Sequence, residues 1–332
     1  MNIDRRLKAI LVQIFGLVCA ALGPSIFKKM QSTMESEVVV MYLMLSGSIA
    51  MLALALRLDN FQKENLFKLS RGWVPISIIF AAFFGSLYYC LFIHAMMISS
   101  VAETSLVARF SPVIIAILSV YILGEVVTSW VGFLIGAGVC LSSLFVQYGI
   151  AGLSRTINPF LPFALVAMLA HALMFVSERY ALKYSSRSLK CTITGIKMLC
   201  GALMMATWVI GNKYSLSFSG NSSEIFLSLG YAIILGVVTV AGFTFWGFQA
   251  EQLWSNTGAL GMLLYFSPLF AASWAWIILG EEKLSWLEVG SMFSVASVGI
   301  LISTYFMEGS YVREKTGLFL LKIRQRQKLF RK

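Results

Sequence analysis

Apolar residues run through the chain in blocks of about twenty, the length a helix needs to cross a bilayer, and short segments between them hold most of the charge. Ten blocks can be drawn: 9–27, 38–56, 73–97, 101–123, 128–148, 159–180, 191–211, 225–250, 257–279 and 285–306. The pattern predicts an all-α, polytopic membrane protein with ten transmembrane helices. The first block follows Arg5, Arg6 and Lys8, as a signal peptide would, yet it runs too long and lacks a small-residue cleavage site, so it reads as a retained helix.

Composition agrees. At 58% hydrophobic and 12% charged over 332 residues, the chain has too few polar side chains to wet a soluble globule. The five cysteines, Cys19, Cys90, Cys140, Cys191 and Cys200, all lie in apolar blocks without a CxxC pair or a histidine at ligand spacing, which argues against zinc and against a disulfide framework. No glycine-rich phosphate loop, GxSxG elbow or HExxH pair is present, so neither an enzyme activity nor a cofactor is expected.

The net charge of +11 matters less than its placement. With ten spans, both ends share one side, and that side carries Arg5, Arg6, Lys8, Arg57, Lys63, Lys68, Arg71, Lys183, Arg187, Lys190 and the basic tail. The other side holds only Lys28, Lys29, Arg155, Lys213 and Lys283. Basic loops favour the cytoplasm, so both termini are expected inside. The tail, 307–332, pairs basic residues with an apolar LFLL stretch, which suits topology control or an interfacial helix on anionic lipid. Nothing folded accompanies it to position a nucleic acid.

One phrase occurs twice. "RFSPVIIAILSVYILGEVVTSW" at 109–130 returns as "YFSPLFAASWAWIILGEEKLSW" at 265–286, agreeing at Ser111/Ser267, Pro112/Pro268, Gly124/Gly280, Glu125/Glu281 and Trp130/Trp286 among other positions. Upstream the match continues with one inserted residue, Tyr88 falling on Phe243, His94 on Gln249 and Ala95 on Ala250. The matching pieces lie in the fourth and ninth spans, which marks a duplication of a five-helix unit, 1–150 and 151–306. Because five is odd, the second copy is expected upside down relative to the first, in an inverted 5+5 repeat of the kind found in carriers.

The doubled "SP…ILGE…SW" pattern inside a 5+5 helix count resembles the EamA branch of the drug/metabolite transporter superfamily, and the likeness covers essentially the whole chain. The resemblance implies a central cavity between the halves, alternating access and no ATP hydrolysis. It implies a cargo among amino acids, other polar metabolites or, as in some intracellular bacteria, S-adenosylmethionine. It also implies a cell membrane, the bacterial inner membrane, as the location. The sequence departs from the usual pattern at Glu282, which follows Glu281, and in its long basic tail.

Within the motif, Pro112 and Pro268 each remove a backbone hydrogen bond inside an apolar helix, so each is expected to kink it, as a flexing point or for packing alone. Ser111 and Ser267 can bond to the freed carbonyls. Gly124-Glu125 and Gly280-Glu281 should end their helices, with the two glutamates either marking turns at the interface or latching opposite gates.

Ionisable groups inside spans cost several kcal/mol unless they face a wet cavity or a partner. The candidates are His94, Glu103, Arg109, His171, Glu178, Arg179 and Lys197. His171 and Glu178, seven apart, share one helix face; Glu103 and Arg109 do not pair within their helix, so partners should come from other helices. Snorkelling to the interface is an alternative for Glu103, Glu178 and Arg179, which fall near helix ends. Tyr88 and Tyr89 in the third span and Phe243, Trp246 and Gln249 in the eighth fall at corresponding places in the repeats, with Tyr265 and Trp274 on the ninth, the rings serving as walls of a binding site or as packing and interface residues. Cations together with carboxylates suit a zwitterion, an amino acid or derivative. The expectation is therefore a secondary transporter for a small polar organic metabolite, as monomer or homodimer, with an S-adenosylmethionine exchanger or a non-transporting membrane enzyme or assembly protein as alternatives.

Overall fold

The computed structural model describes residues 3–30, 34–58, 72–98, 161–182, 187–212, 222–253 and 263–280, together with isolated positions between 101 and 122. The elements are α1 (Ile3–Met30), α2 (Ser36–Leu58), α3 (Val74–Ile98), α4 (Leu161–Leu182), α5 (Arg187–Gly211), α6 (Ser222–Ile234), a π-helical segment (Leu235–Gly242), α7 (Phe243–Leu253), a 3-10 turn (Leu263–Phe266) and α8 (Ser267–Leu279). Among the described residues there is no strand. That suits hydrocarbon, where each backbone N–H and C=O needs a partner within its own segment.

Among the described residues, six segments are long and apolar enough to cross a membrane: Leu7–Met30, Ser36–Leu58, Val74–Ile98, Pro162–Leu182, Leu189–Gly211 and Phe226–Ala250. They coincide with six of the ten expected spans. The ninth is seen from Leu263 as a 3-10 turn followed by α8, the described positions of the fourth are helical, and the fifth, the tenth and the basic tail lie outside the described residues.

Large apolar side chains cover the outside as well as the interior, and some polar ones are buried. Ser25, Ser48 and Thr194 are buried, whereas Phe226 is 76% exposed, Ile210 68% and Trp73 68%. Such a surface is stable against lipid rather than water. Ser48 donates to the Gly195 carbonyl of α5 at 2.8 Å, half-buried Ser46 to that of Ala232 in α6 at 3.1 Å, and Ser86 to that of Ala82 one turn back at 3.0 Å, whereas Ser25 Oγ has no hydrogen-bond partner among the described residues. Small residues let the helices approach closely where no hydrophobic force draws them together.

The helices of the two halves interleave. Among the described residues, the most extensive contacts join α2 to α5 and to the π segment, α3 to α4 and α5, and α1 to α7 and α8. Exchange α1 with α4, α2 with α5, and α3 with the α6–π–α7 span, and these contacts, the one between α1 and α8 aside, map onto one another. The exchange holds at atomic detail. A Cβ on Gly47 of α2 would lie 3.1 Å from the Gly236 carbonyl and 3.1 Å from the Met198 sulfur; one on Gly201 of α5 would lie 3.6 Å from the Ala82 carbonyl and 3.4 Å from the Met44 sulfur.

Two motif residues sit at the ends of α8. Pro268 falls in its first turn rather than in a helix interior, just after the change from 3-10 to α-helix at Phe266. Gly280 ends the helix at φ +67°, in the left-handed region glycine favours, and its N–H donates to Trp276 O at 3.2 Å. Pro112, Glu125 and Glu281 lie outside the described residues.

Candidate functional site

Glu178, near the end of α4, does not reach outward to the interface. Its Oε2 accepts from Lys197 Nζ of α5 at 2.8 Å and its Oε1 accepts from Thr194 Oγ1 at 3.0 Å. The Lys197 and Glu178 side chains are only 10% and 13% exposed. Thr194 and Lys197 stand on one face of α5, three residues apart, so one helix supplies both donors to one carboxylate. Each charge taken from water loses several kcal/mol of hydration unless a partner replaces it, and here both carboxylate oxygens are occupied.

A row of rings lies beside this pair. His171, two turns before Glu178 on the same face of α4, has its ring centroid 4.6 Å from that of Tyr88 on α3. Tyr88 also touches Tyr89 at 4.9 Å and Phe92 at 5.4 Å, and Tyr89 meets Phe27 of α1 at 6.3 Å. The Glu178 carboxylate is in electrostatic reach of Tyr89. Thus α3, α4 and α5 bring together Tyr88, Tyr89, His171, Glu178 and Lys197, five residues singled out from the sequence. Thr194, Phe27 and Phe92 join them; of these only Thr194 carried a signal, its spacing from Lys197.

The other candidates whose side chains are described make contacts outside this cluster. Trp246 of α7 packs edge-on against Phe15 at 5.2 Å and against Phe245 at 5.4 Å, and a Cβ on Gly16 would lie 3.0 Å from the Trp246 Cβ. Phe243 covers the same glycine at 3.6 Å, and Gln249 is half-buried two turns on. In the register that aligns Tyr88 with Phe243, His171 corresponds to Gly16, so the two ring contacts are equivalents in the two halves, one polar and one apolar. Lys190 of α5 lies over the Phe248 ring at 5.2 Å. Trp274 donates its indole N–H to Val18 O at 3.1 Å, which ties α8 to α1. His94 sits against Phe163 at 6.3 Å, and among the described residues its buried Nδ1 has no hydrogen-bond partner. Tyr265 is in the 3-10 turn, while Glu103 and Arg109 lie outside the described residues. No group of His, Cys, Asp and Glu among the described residues is arranged to hold a metal ion.

Comparison with known proteins places this arrangement. A crystal structure of a protein with 18% identity, aligned over 90% of this chain and 98% of its own, superposes with a TM-score of 0.64, a likeness of fold. A search of curated protein sequences returns no match. The model of the EamA-like transporter family matches twice, over residues 7–148 and 159–305. Two consecutive matches of one unit account for the interleaved, exchangeable halves, and the chain belongs to the EamA-like transporter family, within the drug/metabolite transporter superfamily, as a multi-pass membrane transporter.

Proposed function

We propose that the protein is a secondary active transporter that moves a small polar organic metabolite, an amino acid or amino-acid derivative, across the membrane by alternating access. The observation that carries this reading is the Glu178–Lys197 pair, buried within spans beside the Tyr88, Tyr89 and His171 rings. A zwitterion brings one carboxylate and one ammonium. It exchanges charge for charge with such a pair, its carboxylate taking Lys197 and its ammonium taking Glu178, so neither side chain is left bare when the cargo is desolvated. A cargo with one charge leaves one partner stranded.

Arg109, Glu103, His94, Trp246, Phe243, Gln249 and Tyr265 complete the cavity between the halves in this reading, and Pro112, Pro268, Glu125 and Glu281 serve its gates. The ten spans form an inverted 5+5 repeat, and the two states exchange by rocking of one bundle against the other. Both termini lie in the cytoplasm and the membrane is the bacterial inner membrane. The ring cluster supports a second cargo, an S-adenosylmethionine-like ligand, whose sulfonium and planar base both suit aromatic faces.

Counterflow in proteoliposomes tests the proposal. Purified protein preloaded with an unlabelled amino acid should accumulate the labelled one, and S-adenosylmethionine forms a parallel arm. Glu178→Gln should reduce amino-acid counterflow at least tenfold and turn preference toward carboxylates lacking an amine; Lys197→Gln should turn it toward amines. No counterflow over a broad panel of amino acids, nucleosides and S-adenosyl compounds defeats the transporter reading. Arg109→Ala and Trp246→Ala should each abolish the thermal shift caused by a transported solute, without loss of folded yield.

A further inference from the structure

The eighth span carries one feature that its equivalent in the first half lacks. Between α6 and α7 the helix widens into π geometry over Leu235–Gly242, whereas α3 is α-helical throughout Val74–Ile98. A π turn closes its hydrogen bond one residue later than an α turn, and such segments are rare and concentrate at functional sites.

The mirrored contacts show where the difference arises. Gly47 rests on the Gly236 carbonyl as Gly201 rests on the Ala82 carbonyl, so Gly236 and Ala82 are equivalent points on the two spans. Phe243 covers Gly16 as Tyr88 covers His171, so Phe243 and Tyr88 are equivalent as well. One residue more lies between Gly236 and Phe243 than between Ala82 and Tyr88. The π segment takes up this extra residue and keeps the aromatic face of α7 in register with α1.

The two ends of the segment are held by different helices. Upstream, Gly236 is locked to α2: a Cβ there would fall 2.5 Å from Gly47 N and 2.5 Å from Leu43 O. Ser46 also donates to the Ala232 carbonyl at 3.1 Å. Downstream, α7 is seated on α1 through Phe243 and Trp246. Within the span, Thr239 donates to Leu235 O and Thr244 to Val240 O at 2.8 Å, so local hydroxyls already serve carbonyls one turn back. Lengthening or shortening the π stretch therefore strands fewer backbone groups than it would in an unassisted helix.

We propose that this inserted residue gives the eighth span two registers, and that α7 turns on the π segment when the carrier changes state. The proposal rests on the alternating-access reading above. In the register seen here the insertion is absorbed and α7 faces α1. When the segment reverts to α geometry, α7 rotates relative to α6 by about 100°, the turn per residue of an α-helix, and Phe243 and Trp246 leave Gly16.

The test uses full-length protein in nanodiscs, with native cysteines replaced and spin labels on exposed positions, Leu11 of α1 and Gln252 of α7. Labels on Leu11 and Ile49 of α2 provide the reference pair. The Leu11–Gln252 distances should fall into two populations in the otherwise unaltered protein, and deletion of lipid-facing Val237 should leave one, with counterflow lowered at least tenfold and folded yield retained. A single Leu11–Gln252 population before any deletion overturns the proposal, as does full counterflow by a folded deletion variant. If the deletion variant does not fold, the distances in the undeleted protein decide. Absence of counterflow in the undeleted protein defeats the transporter reading instead, and the distance populations still decide the two registers.

Discussion

Glu178 shows how the same side chain reads differently with and without its neighbours. Its seven-residue spacing from His171 placed both on one face of α4, which the sequence discloses because helix periodicity is local. Its partner was hidden, because Lys197 and Thr194 belong to the next helix and no spacing rule crosses a loop. Removing one member of a buried pair leaves a bare charge, so Lys197→Met should destabilise the protein by about 3–5 kcal/mol. Glu178→Gln combined with Lys197→Met should recover most of that loss. Thermal unfolding in detergent, run as a double-mutant cycle, measures the coupling; additive losses would show that the two groups do not sense each other. Trp274 teaches the opposite lesson. Its depth left a binding wall and a packing role both open, and its N–H is committed to the Val18 carbonyl, an assignment that needs α1 and α8 side by side.

At the scale of the element, glycine and proline signals were legible where they act on their own backbone. Gly280 was expected to end its helix and does so in the left-handed conformation. Pro268 was expected to kink a helix interior and instead lies in the first turn of α8, where its missing N–H costs little. The π segment gave no local signal, since "LGVVTVAG" has no residue type that requires it; only the mismatch in register between two equivalent contacts reveals it. The glycines separate in the same way. Gly236→Ala places its methyl against α2 backbone and should lower the unfolding temperature sharply or abolish folded yield. Gly23→Ala meets only Thr239 side-chain atoms at 3.7 Å, ordinary contact, and should be neutral or slightly stabilising. Paired melting curves in one detergent check both, and equal melting temperatures would remove the close α2 crossing from the explanation.

For the molecule as a whole, hydrophobic block length located six spans within a few residues, because hydrocarbon thickness fixes it. The repeat was legible from Pro, Gly and Glu in register, and the family model matches both copies. The pairing of α1 with α7 and α8, and of α3 with α4, was not legible, because a block of apolar residues does not name its neighbour. That pairing predicts that neither half is stable alone. Residues 1–150 expressed without residues 151–332 should be degraded, whereas co-expression of the two pieces should yield a complex that purifies through a tag on either; a stable, monodisperse 1–150 fragment would contradict it.

The interleaving also has a consequence in time. Ribosomes add roughly 5–20 residues per second, so α1 enters the bilayer on the order of ten seconds or more before Phe243–Leu253, its seat for Gly16, has been made. Through that interval the buried Ser25 and Ser48, and the small-residue seams of α1 and α2, face lipid or the insertion machinery with no partner helix. The expected consequence is a need for something that shields half-built helices until the second copy of the unit arrives: loss of a membrane-insertion chaperone should deplete this protein before proteins whose neighbouring helices are consecutive in the chain.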